Sequence, residues 1–225
     1  MGVLYDPFVG RAPEPWSFGI YAGGQSILVG TPSGVSLAPE GGAHQSVIAP
    51  SIGLEQPGIV AYEPAFAVDT EWTLLASLSR LGRPDGSSAY LRLSTRPVDQ
   101  TLARVPADPA ARERRRRQVV AGAYPLRGAG EAGGDGGALR ARSGQDDGGT
   151  AWILDQAFPA SRAAPLVTVL DGHPHTLAFL ASVRRVPCVS LGMTSFGQSG
   201  ALEDVYRYHG IDADSIVRAA LDAAG

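Results

Sequence analysis

The sequence predicts an α/β protein built on parallel sheet, and three observations carry that expectation. A short apolar run at residues 26–30 leads through a loop to an amphipathic helix over 64–81 and a second strand over 88–94, which is half of a parallel α/β domain. A similar alternation of short apolar runs and helical patterns restarts after residue 150. Usage is that of a globular chain: 44% hydrophobic and 18% charged over 225 residues, enough for one good core or two small domains.

In chain order, Tyr5 and Phe8 stand three apart within residues 3–9, a spacing that suits core packing on a helix. Pro13 and Pro15 are expected to break any simple helix through residues 12–15. Residues 26–30 read as a buried strand stopped by Gly30, Pro32 and Gly34. Its carboxyl end points at the following loop, where open α/β sheets place ligands. Residues 51–58 are turn-rich. Over 64–81, apolar Phe66, Trp72, Leu74, Leu75 and Leu78 face polar Asp69, Thr70, Glu71 and Ser77, with Gly82 and Pro84 as the stop.

A further helix is expected over 110–121, with Asp108 as its cap and Pro109 at its first position. It carries Arg112, Arg114, Arg115, Arg116 and Arg117. A solvated face is the commoner role for such a cluster, and binding an acidic partner domain, phosphate or nucleic acid the minority one. Residues 128–150, with nine glycines between 128 and 149, read as a flexible linker. Strands are then expected at 151–154, 165–170 and 186–191, and helices at 176–183, 202–209 and 212–224, the last capped by Asp212. His173 and His175 have only Asp171 nearby, so a surface or helix-start role is favoured over metal binding.

Composition removes several classes. The net charge of −3 argues against a nucleic-acid binder. All nineteen basic residues are arginine, so no lysine is present to form a Schiff base or serve a phosphate-binding loop. The single cysteine, Cys188, excludes a disulfide framework and reads as a small apolar strand residue. No apolar run reaches the roughly 20 residues of a membrane span and no signal-peptide layout opens the chain, so a cytoplasmic location is expected.

The stretch with the most chemistry is Leu37-Ala38-Pro39-Glu40-Gly41-Gly42-Ala43-His44-Gln45. A carboxylate and an imidazole stand four apart around two glycines that let a ligand lie against bare peptide groups. An imidazole there could donate to a developing alkoxide, with the carboxylate tuning its charge. A buried, satisfied structural histidine is the alternative on the loop alone.

The strings Tyr5-Asp6-Pro7-Phe8-Val9, Val29-Gly30-Thr31-Pro32-Ser33-Gly34-Val35, Pro39-Glu40-Gly41-Gly42-Ala43-His44-Gln45-Ser46 and Leu93-Ser94-Thr95-Arg96-Pro97-Val98-Asp99-Gln100 closely resemble the thiamine-diphosphate-dependent E1 component of 2-oxo acid dehydrogenases. The match is to the homodimeric pyruvate dehydrogenase type, a relative of transketolase. Leu191-Gly192-Met193-Thr194-Ser195-Phe196-Gly197-Gln198-Ser199-Gly200 resembles that family's C-terminal domain.

The resemblance implies a partial pyrimidine-binding domain over 1–104, an Arg-rich helix and Gly-rich linker over 105–150, and a reduced transketolase C-terminal-like α/β domain over 151–225. It implies that Tyr5 and Phe8 pack on the aminopyrimidine ring and that His44, partnered by Glu40, donates to the substrate oxygen. The expected chemistry is decarboxylation of pyruvate or 2-oxobutyrate and acyl transfer to a lipoyl group of E2.

The family's diphosphate- and Mg²⁺-binding domain has no counterpart ahead of Tyr5. Gly134-Asp135-Gly136 opens the metal signature, but the asparagine required roughly thirty residues later is absent, so the triplet is read as accidental. The chain is therefore expected to be inactive alone, with thiamine diphosphate shared with a partner chain that holds the Mg²⁺. A transketolase-type two-carbon transferase subunit and a non-catalytic dimerisation or regulatory paralogue, with self-association, are the other expectations. No nucleic-acid or membrane partner is expected.

Overall fold

The computed structural model describes residues 1–124 and 158–225. The expected linker 128–150, the triplet 134–136 and the strand 151–154 lie outside the described residues. Within them the chain is α/β with two parallel sheets.

The first sheet takes β1 (Gly2–Leu4), β2 (Ile27–Gly30), β3 (Ile59–Tyr62) and β4 (Ser88–Arg92) in the order β1-β2-β4-β3, all parallel. Its central strands are short apolar runs because parallel strands are covered on both faces. β4 is buried along its whole length. In register Ile27 meets Ala89 and Val29 meets Leu91, and these four with Tyr62 form the sheet's core. β3 did not stand out in the sequence, since residues 59–62 lack a clear alternation.

Five helices accompany this sheet: α1 (Asp6–Val9), α2 (Pro13–Tyr21), α3 (Ala49–Glu55), α4 (Ala67–Arg80) and α5 (Pro109–Ala121). Two of them correct the sequence reading. Pro13 and Pro15 begin a helix rather than break one, because both fall in its first turn, where a missing N–H removes no intrahelical bond. The Trp16 indole N–H then ties α2 to the sheet by donating to Ser26 Oγ at 2.9 Å. The turn-rich passage at 51–58 is largely α3, again with a proline in the first turn. Gly53 lets this helix lie directly on β3, since a Cβ there would stand 2.6 Å from Ala61 Cβ.

α4 is amphipathic in a different sense from the one expected. Its buried residues are Asp69, Trp72, Thr73 and Ser77, whereas Leu75 and Leu78 are 55% and 47% exposed. Small polar side chains can be buried there because each bonds within the helix. The Thr73 hydroxyl donates to the Asp69 carbonyl at 2.8 Å, and that of Ser77 to the Thr73 carbonyl at 2.7 Å. α5 is capped as expected, with Asp108 accepting from the Ala111 N–H at 2.7 Å. Several of its arginines are engaged within the chain. Arg112 lies over Trp72, Arg115 lies over Tyr124, and Arg116 pairs with Glu113.

The second sheet pairs β5 (Leu166–Val169) with β6 (Cys188–Leu191). The single helix expected over 176–183 is two short ones, α6 (His175–Ala178) and α7 (Ala181–Arg184). The backbone between them turns through three-residue bonds, Leu180 N–H to Leu177 and Val183 N–H to Leu180. His175 opens α6, and its N–H donates to His173 Nδ1 at 3.2 Å, as a helix-start role requires. α8 (Leu202–His209) and α9 (Ala213–Ala224) follow, the latter capped by Asp212. Among the described residues no helix is long and apolar enough to cross a membrane.

The Gly53 contact gives a stability prediction. Gly53→Ala is expected to lower unfolding free energy by about 1–3 kcal/mol through overpacking against β3, read from the midpoint of a urea transition.

Candidate functional site

The loop after β2 ends in an exposed tip that gathers every residue singled out by motif. The Tyr5 hydroxyl donates to Glu40 Oε2 at 2.9 Å, and His44 Nδ1 stands 3.8 Å from the same oxygen. The Tyr5 ring packs edge-on against Phe8 at 5.4 Å and His44 at 6.0 Å between centroids. Arg11 covers one side of the Phe8 ring at 4.9 Å. His44 and Glu40 are about half exposed and Phe8 is 44% exposed, so a buried structural histidine is not what the fold contains. Partial burial, then the hydrogen bond to Glu40 and its charge, push the Tyr5 phenol above its ordinary value.

Beneath this tip lies a buried polar cluster that sequence reasoning missed. Asp6, wholly buried, accepts from Arg92 Nε at 3.0 Å and from the hydroxyls of Tyr90 and Ser46. Arg92, at the end of β4, also donates to Glu63 Oε2 at 3.1 Å and to the Asp171 carbonyl at 2.6 Å. The Asp171 carboxylate in turn accepts from the Val35 N–H at 2.8 Å. Gly30 makes the approach possible, since a Cβ there would run into the Asp6 carboxylate. A charged residue closing a wholly buried strand, with leucines on both sides, was the available signal.

The electrostatics follow from three carboxylates around one guanidinium. Burial alone would lower Arg92, and Glu63, Asp6 and Asp171 outweigh it, holding the guanidinium firmly protonated. Asp171 is raised, chiefly by lost hydration, with Arg92 pulling the other way, whereas the Glu63 side chain is 40% exposed and keeps part of its hydration. Burial and then the Asp6 charge push the Tyr90 phenol far up, so it stays a donor.

A cavity of about 520 Å³ opens at the carboxyl end of β3, between α3, α4, α5 and α6. Leu54, Phe66, Val119 and Leu177 form apolar wall, with Glu63 and Asp69 among the polar lining groups. None of Tyr5, Phe8, Glu40 or His44 lines it. Among the described residues no group of three His, Cys, Asp or Glu side chains could hold a metal ion.

No protein-family profile and no curated protein sequence matches the chain. Solved structures do. A transketolase from Campylobacter jejuni subsp. jejuni superposes with a TM-score of 0.71 at 16% identity, covering 98% of this chain and 35% of that one. Transketolase from Leishmania mexicana gives 0.62 at 16% identity, covering 99% and 34%. A split-gene transketolase, described as an inactive β4 tetramer, gives 0.55 at 12% identity, covering 99% of this chain and 75% of that one. The chain thus has a transketolase-like fold and spans about a third of the length of the first two proteins.

The buried cluster carries one prediction. Arg92→Met is expected to cost about 3–5 kcal/mol in denaturant unfolding, because the Asp6 carboxylate is left buried without a cation.

Proposed function

We propose that this chain furnishes one wall of a thiamine-diphosphate site in a 2-oxo acid dehydrogenase E1, and that a second chain supplies the diphosphate- and Mg²⁺-binding part. The observation that carries this reading is the convergence of Tyr5, Phe8, Glu40 and His44. They come from two separated motif stretches and meet at one exposed point at the carboxyl end of β2. Half-exposed titratable and aromatic groups on an open surface suit a site whose other wall belongs to another chain.

The residues fit the heterocycle side of the cofactor. Phe8 is partly exposed, and a Cβ at Gly42 would meet nothing within 4 Å, so bare backbone is open to a flat ligand. When bound, the cofactor supplies the nucleophilic carbon and the electron sink for decarboxylation. Tyr5 and Phe8 hold the pyrimidine. Glu40, shared between the Tyr5 hydroxyl and the His44 imidazole, sets the orientation of both. His44 donates a proton to the oxygen of the substrate's former keto group. The lipoyl disulfide of an E2 partner would be the two-electron oxidant that brings the two-carbon unit to the acyl level, its S–S bond breaking so that one sulfur carries the acyl group as a thioester and the other leaves as a thiol.

A transketolase-type two-carbon transferase is the second reading, and the structural neighbours favour it. The experiment mixes this chain with a partner bearing the diphosphate and metal motif, thiamine diphosphate, Mg²⁺ and either pyruvate or 2-oxobutyrate. Release of CO₂ only in the mixture is expected. His44→Ala with Glu40→Ala should lower the rate by about 10²–10⁴-fold, the usual weight of a positioned proton donor. Full turnover in that double variant contradicts the assignment, and turnover of ketose phosphates instead of oxo acids selects the transferase.

A further inference from the structure

The His44 loop belongs to the first unit, the described residues 1–124 with the first sheet, yet most of what holds it comes from the second unit, the described residues 158–225 with the second sheet. At its base Val35 and Ala38 are wholly buried in a cluster with Met193, Val205 and Ile211, and the Val35 N–H donates to the Asp171 carboxylate. At its tip the Gly42 N–H donates to the Gly197 carbonyl at 2.9 Å, and the Gly200 N–H to the Ala38 carbonyl at 2.9 Å. Gln45 Nε2 donates to the Gln198 carbonyl at 3.2 Å. The Ser199 hydroxyl donates to the backbone carbonyl of Glu40 at 2.8 Å.

Glycine is required on both sides of this contact. Gly41 has φ +63°, and a Cβ there would stand 2.5 Å from the Ser199 nitrogen. A Cβ at Gly197 would overlap the Gln45 side chain. The two loops therefore approach closely enough for direct backbone bonds, with the Gln45 and Ser199 side chains as the additional ties between them.

We propose that the 196–200 loop is a clamp for the His44 loop, with Ser199 as a positioning residue that holds the Glu40 backbone and, through it, the place from which the Glu40 carboxylate reaches Tyr5. Without the clamp, Glu40 and His44 would lie on a glycine-containing turn with few bonds of its own, Glu40 and Gly41 N–H to Leu37 and His44 N–H to Gly41. The second unit thus sets the geometry of groups that the first unit carries. The proposal rests on the functional reading only for what the loop does, and the way the loop is held is read without turnover.

The test uses the whole chain with Ser199→Ala, Ser199→Thr and Gly197→Ala. Ser199→Ala should raise amide exchange at Gly42 and His44 about fivefold, the weight of one lost hydrogen bond, while Val29 and Leu91 exchange as before. With the Glu40 backbone no longer held, its carboxylate can move away from the Tyr5 hydroxyl, and the phenol should then titrate at lower pH, because the bond to Glu40 and its charge both contribute to its upward displacement. Ser199→Thr keeps the donor and should restore both readings. Gly197→Ala should loosen the same amides by displacing Gln45. Wild-type exchange at Gly42 and His44 in a folded Ser199→Ala protein, with Tyr5 titrating unchanged, overturns the clamp. Neither reading needs a partner chain or cofactor, so a failed decarboxylation assay leaves this result standing.

Discussion

The ion pair between Asp6 and Arg92 is the constraint on which the remaining structure depends. Both groups are removed from water, a cost of several kcal/mol per ion unless each is fully bonded. Asp6 meets that condition with three donors, and Arg92 with Glu63, Ser46 and the Asp171 carbonyl. Each partner sits on a different piece of chain: the first short helix, the central strand, the end of the His44 loop, the end of β3 and the turn after β5. The pair therefore works less as a source of stability than as a junction that allows these five segments one arrangement.

That junction explains the position of the exposed residues above it. Asp6 follows Tyr5 directly, and Ser46 follows the His44 loop by two residues. Fixing the two buried side chains brings the aromatic pair and the Glu40–His44 pair to the same point on the surface. From the other side, the contacts of Asp171 and of the 197–200 backbone hold the base and tip of the loop. An exposed cluster of four side chains is thus framed by buried polar groups below and a neighbouring loop beside it.

Much of the fold was legible in the sequence. The strands at 26–30, 88–94, 165–170 and 186–191 were marked by short apolar runs, and the helices at 110–121, 202–209 and 212–224 by caps and periodicity. Misreadings arose where one residue type has two uses. Proline stops a helix in its interior and starts one in its first turn, which hid α2 and α3. Serine and threonine look solvent-facing, but on α4 they are buried by bonding back to their own helix, which turned its face. The exposed cluster was found through motif strings, whereas Asp6, Arg92, Glu63 and Asp171 were not. Arg92 between two leucines at the end of an apolar strand was the one local sign of it, and only the fold shows that its partner is Asp6, 86 residues away.

We propose that Tyr5, Phe8 and His44 form one face of a shared cofactor site. Ring proton resonances of these three residues, followed by NMR while thiamine diphosphate and Mg²⁺ are added with and without the complementary chain, test it most directly. Shifts confined to these rings and seen only with the complementary chain present are the predicted result. Equal shifts without that chain, or no movement at Tyr5 and Phe8 once the complex has bound the cofactor, contradict the account.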